Sequence, residues 1–109
     1  MQKEDYIVMI LLRLLTVKDL YGYEMMEKLE ILSNEYFKLK AGTLYPILHN
    51  MEELELIESY EEKADNGRMR KYYCIKNKGR KALKEKKSQW DKYVLMINNI
   101  VEGEIIYDN

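Results

Sequence analysis

Residues 41–75 read AGTLYPILHNMEELELIESYEEKADNGRMRKYYCI, and the period of their apolar residues changes halfway along. Leu44, Leu48, Met51 and Leu54 recur at helical spacing over about Ala41–Glu55, because positions three and four apart return to one helix face. Pro46 removes an amide, which predicts a late start or a bend there. The opposite face, Thr43, Tyr45, Pro46, His49 and Asn50, is small or polar, with no acid before Glu52. Leu56–Lys63 then reads as a strand, Ala64–Gly67 as a turn and Arg68–Ile75 as a returning strand, with Asn-Gly the strongest short hairpin signal. The hairpin carries Lys63, Asn66, Arg68, Arg70 and Lys71.

Upstream, Tyr6–Leu15 places Ile7, Ile10, Leu11, Leu14 and Leu15 on one helical face. Val17–Asp19 reads as a connection, with Asp19 capping a second helix over about Tyr21–Leu32. Ser33 and Asn34 break that pattern, and Lys38 and Lys40 precede the third helix. Downstream, a last helix is expected from about Asn77 to Val101. Leu83, Trp90, Val94, Ile97 and Val101 form one continuous stripe on it, longer than three short helices can cover. Gly103 ends the pattern, and 104–109 is expected to fray.

A chain of 109 residues fits one domain, and its mix of 47% hydrophobic and 34% charged residues is that of a globular protein. No apolar run approaches the roughly 20 residues a membrane span needs, and Glu4 and Asp5 stand where a secretory leader would be basic. The single Cys74 excludes an intramolecular disulfide and is expected to lie inert in the core of the sheet. A cytoplasmic protein without membrane attachment is the expectation. Neither a nucleophile–base pair, a phosphate loop nor a metal constellation is present: His49 is the only histidine. An enzyme and a cofactor are therefore not expected.

The formal net charge of −1 is unevenly distributed. Residues 60–87 hold eleven Lys and Arg against four Asp and Glu, a local +7 that leaves −8 on the rest. One basic segment on an acidic body suits a protein that meets phosphate with one face; a merely solvated charged surface is the plainer alternative.

Helix, helix, helix, basic hairpin, long helix is the order of a mostly α, α+β fold: a winged helix-turn-helix with an added dimerisation helix. Residues 1–76 would form the DNA-binding domain and 77–109 the dimerisation helix and a short tail. The third helix would enter the major groove, with Thr43, His49 and Asn50 toward base edges. Lys38, Lys40, Lys63, Asn66, Arg68, Arg70 and Lys71 would meet phosphate or the flanking groove. A homodimer built through Ile7, Ile10, Leu83, Trp90, Val94, Ile97 and Val101 would read two half-sites of double-stranded DNA about one turn apart. The expected function is a repressor on a palindromic operator. The alternative is a winged-helix module for protein–protein contact without a DNA role, favoured only by the overall negative charge.

Four stretches, Tyr21-Gly22-Tyr23-Glu24, Gly42-Thr43-Leu44-Tyr45-Pro46-Ile47-Leu48, Gly67-Arg68-Met69-Arg70-Lys71-Tyr72-Tyr73 and Lys78-Gly79-Arg80-Lys81-Ala82-Leu83, together resemble the PadR family of transcriptional regulators. The likeness runs from about residue 6 to 100, and the short C-terminus resembles the smaller subfamily with a single C-terminal helix. The resemblance implies a phosphate contact for the Tyr45 hydroxyl. Gly22 fits either a close approach of backbone amides to phosphate or close packing. Three positions depart from the family pattern: Glu55 replaces a glycine, Met69 a proline, and Lys76 a threonine cap, so that Asn77 is expected to cap the last helix. Trp90 reads as a core or interface residue. It also resembles the tryptophan with which some multidrug-sensing relatives stack flat aromatic ligands between subunits, which implies a small aromatic effector at Trp90, Tyr93 and Val94. With Asp91 expected to point elsewhere, neutral or tyrosine-stabilised cationic aromatics would fit.

Overall fold

A computed structural model describes residues 3–108. The chain forms α1 (Lys3–Val17), β1 (Leu20–Tyr21), α2 (Gly22–Leu32), α3 (Ala41–Glu53), β2 (Ile57–Lys63), β3 (Met69–Ile75) and α4 (Asn77–Glu102). The expected α+β order holds, with one strand more than the hairpin alone. β1 pairs antiparallel with β3, Leu20 opposite Tyr73, giving the sheet order β1-β3-β2. A two-residue strand has no periodicity, which is why the sequence pattern misses it.

The core gathers Ile7, Leu11, Leu12, Met25, Leu44, Leu48, Met51 and Ile57 between α1, α2, α3 and the sheet. α3 turns inward Leu44, Ile47, Leu48 and Met51, whereas Leu54, expected inside, is half exposed. Leu54 belongs to the helix's C-cap, where the chain leaves the helical path. α3 starts at Ala41 and runs through Pro46. The proline therefore does not delay the start: its missing amide falls in the second turn, where only the Gly42 carbonyl loses its bond.

α3 ends in a Schellman motif. The Leu56 N–H donates to the Met51 carbonyl and the Glu55 N–H to the Glu52 carbonyl, the pairings that close such a cap. Glu55 sits between them at φ 61°. The turn is thus as tight as a glycine would make it, at a strain of about 1–2 kcal/mol for a residue with a Cβ.

α4 is welded to this corner at its other end. The Lys76 N–H donates to the Leu56 carbonyl at 3.0 Å. A Cβ on Gly79 would stand 2.1 Å from that carbonyl oxygen and 2.9 Å from Ile75 Cγ1, so only glycine allows the approach. Asn77 does not cap α4: the cap is Lys76, which makes no side-chain cap bond. Asp19 does not cap α2 either. Tyr21 holds that position, its N–H donating to Glu24 Oε1 at 3.3 Å. Among the described residues no helix is long and apolar enough to cross a membrane.

Candidate nucleic-acid interface

The exposed face of α3 is built by elimination. With Leu44, Ile47, Leu48 and Met51 buried, Thr43, Tyr45, Pro46, His49 and Asn50 must face out, and all five are exposed. Tyr45, 45% exposed, stands over Gly22: a Cβ on Gly22 would lie 2.4 Å from the tyrosine oxygen. Close packing is therefore what Gly22 serves, and through it the first turn of α2 fixes where the Tyr45 hydroxyl stands. His49 Nε2 lies 3.1 Å from Glu53 Oε1. Among the described residues the Thr43 and Asn50 side chains have no hydrogen-bond partner.

Ahead of α3, Lys40 is its N-cap, its carbonyl accepting from the Thr43 and Leu44 amides. Lys38 lies 4.0 Å from both Glu30 and Glu35. These pairs are solvated and hold it only weakly.

The wing is not the net basic hairpin expected from sequence. Residues 57–75 carry Lys63, Arg68, Arg70 and Lys71 but also Glu58, Glu61, Glu62 and Asp65. Register sets Glu61 opposite Lys71 and Glu62 opposite Arg70. Seven of the eleven cations in 60–87 lie instead at or on α4, from Lys76 to Lys87. The local +7 thus merges two separate elements.

Within the wing, three cations differ in their freedom. Arg68 is exposed at the tip, its backbone N–H held by Asn66 Oδ1 at 3.0 Å while its guanidinium has no partner among the described residues. Beside it Gly67 takes φ 83°, closing the loop as a three-residue hairpin with its left-handed residue last. Arg70 is half-buried, its guanidinium 4.6 Å over the Tyr21 ring, a cation–π contact. Lys71 Nζ is 3.4 Å from Glu52 Oε1, and Glu52 Oε2 also accepts from Ser59 Oγ at 2.9 Å. Lys63 is exposed, with no ion-pair partner among the described residues.

The outer face of the sheet carries a tyrosine ladder that the sequence pattern does not reveal. Tyr60 stacks on Tyr72 at 5.7 Å, and Tyr21 meets Tyr72 edge-on at 5.4 Å. The Tyr60 hydroxyl donates to Asp19 Oδ2 at 2.7 Å, and its pKa is pushed up to about 12, first by that bond and then by desolvation and the carboxylate's charge. Cys74 lies on this face, not in the core: Tyr73 is the residue turned inward. The Cys74 Sγ is 3.8 Å from Glu58 Oε1. Partial burial, and the Asp19 and Glu58 charges after it, push its thiol pKa up. Tyr21 and Gly22 were recoverable from the sequence only as part of the Tyr-Gly-Tyr-Glu stretch.

Along α4, Trp90 meets Tyr6 edge-on at 5.3 Å and lies 6.2 Å from Tyr93. It borders an open groove of ≈ 640 Å³ between α1 and α4, lined also by Met9, Ile10, Arg13, Leu83, Lys84 and Asp91. Asp91 therefore faces the groove, paired with Lys87, instead of pointing away. Ile7 is 3% exposed in the protomer's own core and has no surface left for a partner, while Ile10 and Leu83 are half-buried. Past Trp90, Val94 is half-buried and Tyr93, Leu95, Met96, Ile97, Ile100 and Val101 are exposed. Among the described residues no cluster of three or more His, Cys, Asp or Glu is arranged to hold a metal.

An exposed polar helix face, packed in a helical domain next to a β-wing, defines a winged helix-turn-helix of the kind transcriptional regulators use. Residues 11–85 match the transcriptional regulator PadR-like family, and the chain belongs to it. That family is one of regulators, not of enzymes. A transcriptional regulator from Clostridium thermocellum is 33% identical and superposes with a TM-score of 0.82, covering 89% of this chain and 94% of that one. A PadR family regulator from Clostridium difficile is 35% identical (TM-score 0.71, 90% and 99% covered). A PadR-like regulator from Bacillus cereus is 32% identical (TM-score 0.77, 90% and 93% covered). An uncharacterized protein of Lysinibacillus sphaericus is 36% identical over 94 residues, 86% of each chain.

Proposed function

We propose that the protein is a homodimeric repressor that binds a palindromic operator and is released by a small aromatic ligand. Residues 1–76 read DNA and 77–109 join the two chains, in the manner of the small subfamily with one C-terminal helix. The observation that carries the reading is the exposed, acid-free face of α3, with Thr43 and Asn50 unengaged beside Tyr45 and His49. Such a face fits the major groove, where donors and acceptors distinguish all four base pairs. Lys40, Lys63 and Arg68 are the cations best placed to meet phosphate, since among the described residues no carboxylate holds them.

The dimer is supported by the apolar surface that α4 leaves uncovered from Tyr93 to Val101, more than a stable monomer ordinarily exposes on one helix. The ligand reading is supported by the groove beside Trp90. Its charges are Arg13, Lys84 and Lys87 against the single Asp91. Of the neutral and tyrosine-stabilised cationic aromatics expected from sequence, this balance favours the neutral one and adds a planar anionic aromatic.

A gel shift with the upstream region of the protein's own gene, titrated with salt against an unrelated duplex of equal length, tests the DNA reading. Tighter binding to the upstream region supports it. Equal binding to both, or none to either, would favour the module for protein–protein contact. Quenching of Trp90 fluorescence by 2-naphthoate but not by 2-naphthylmethylammonium tests the ligand; silence with both makes Trp90 purely structural.

A further inference from the structure

Two apolar surfaces lie at opposite ends of the protomer, and their charges are complementary. α1 and α4 pack in opposing senses, Tyr6 against Trp90 and Arg13 beside the same groove as Leu83 and Lys84. Past Arg13, the end of α1 opens a second hollow of ≈ 230 Å³, walled by Leu14, Val17, Leu20 and Leu32 with Lys18 and Lys28 at its edge. Val17 and Leu32 are 70% and 69% exposed. Lys28 has no ion-pair partner among the described residues, and Lys18 lies 4.0 Å from Glu24. In the other direction α4 continues from Trp90 to Glu102, and Ile105, Ile106 and Tyr107 follow, all exposed. Glu102, Glu104 and Asp108 flank them.

Within one chain the two surfaces cannot meet. From the Tyr6–Trp90 contact, Val17 lies about 17 Å along α1 one way and Glu102 about 18 Å along α4 the other, at about 1.5 Å per residue. The molecule's long axis of 71 Å reflects this separation. A second chain removes the obstacle. A two-fold axis through α4 near Trp90–Val94 sets the two helices antiparallel. Each tail then runs back along the partner's α1, and tail and hollow lie at similar distances, about 17–20 Å, from the crossing.

We propose that residues 105–107 of one chain dock into the hollow between α1 and α2 of a second copy, with Glu104 and Asp108 meeting Lys28 and Lys18. The inference rests on the dimer proposed above. Docking covers Val17 and Leu32 on one chain and Ile105 and Ile106 on the other, and it clasps each DNA-reading domain at both ends of α1.

The test uses two versions of the full chain, both with Cys74→Ser, one carrying Val17→Cys and the other Ile106→Cys. Mixed and mildly oxidised, they should yield a disulfide-linked pair with the mass of one chain of each kind, several-fold above either version alone. Sedimentation of the unoxidised protein separates the two layers of inference. A monomer overturns the dimer itself, whereas a dimer with no mixed cross-link overturns only the docking. A disulfide formed within a single chain carrying both cysteines would assign the hollow to its own tail and overturn the exchange. Independently, Ile106→Asp should raise the dimer dissociation constant roughly a hundredfold, the loss expected from two aliphatic side chains, one at each of the dimer's two docking sites, without changing the protomer's circular dichroism. An unchanged dissociation constant would overturn the docking.

Discussion

The α3 face and the wing are both expected to touch DNA, yet they are built in opposite ways. On α3 the outward residues from Thr43 to Asn50 include no acid and are mostly unengaged, positioned by the burial of their neighbours. On the wing every cation is matched in number by a carboxylate, and Arg70 and Lys71 are already held by Tyr21 and Glu52. A polar residue left free by packing is available to a base edge. A cation already engaged within the fold holds the wing in place, and only the unengaged tip adds to phosphate attraction. Charge counted along the chain does not distinguish the two.

The largest effect that would break this arrangement is at the root where α3, wing and α4 meet. Gly79→Ala drives a methyl into the Leu56 carbonyl and should destabilise the domain by about 3 kcal/mol, the upper range for forced overpacking. Thermal unfolding would show it as a much lower midpoint; an unchanged midpoint would mean that α4 is not anchored there. Next comes the free face. Asn50→Ala should weaken operator binding by about 1–3 kcal/mol and relax preference at one base position, with little change on random DNA. An equal loss on both duplexes would move Asn50 from base reading to general affinity.

Within the wing the comparison sharpens to two arginines. Arg68→Ala should lower affinity and reduce the slope of log affinity against log salt by about 0.9, one phosphate's worth of counterions. Arg70→Ala should lower affinity with the slope unchanged, because its guanidinium faces Tyr21. Equal slopes for the two variants would erase the distinction. At the joint between the regions, Glu55→Gly should stabilise by about 1 kcal/mol, relief of the left-handed strain less the greater freedom glycine adds to the unfolded chain. Chemical denaturation at fixed pH reads this directly, and destabilisation would show that the Glu55 side chain contributes more than its strain removes. The smallest effect is Tyr60. Its phenol should ionise near pH 12 in an ultraviolet titration, above the ordinary phenol range, and Tyr60→Phe should delete that late phase. The Asp19 bond holds below the ordinary phenol pKa and is lost only as pH rises through 12; a missing late phase would mean that the bond does not form.

The sequence made the helices legible because their apolar residues keep a period over ten or more positions, and the hairpin because Asn-Gly marks its turn. It made the family legible through Gly-Thr-Leu-Tyr-Pro and the Arg-Lys-Tyr-Tyr strand. It could not disclose β1, whose two residues are a strand only because β3 lies alongside. Nor could it separate wing cations from α4 cations, since adjacency in sequence spans the Ile75–Asn77 corner. Cys74 and Tyr73 are neighbours that alternate across a strand, and which of them faces inward depends on register, not composition. Ile7 carries the right spacing for an outer stripe, but α1 is apolar around more than one face, so its periodicity did not single out the side taken by the core.

The short β1 strand has a consequence for how the molecule comes into being. β2 and β3 are joined by a tight loop and can zip together as a local event on the microsecond scale. Leu20 must instead wait for Tyr73, 53 positions later, a contact of high sequence separation whose loop closure slows assembly. During synthesis the first three helices leave the ribosome before the strand that ties their connection to the sheet has been made. The tether between β1 and β3 therefore closes after the hairpin and, by the same token, is a natural place for the domain to open.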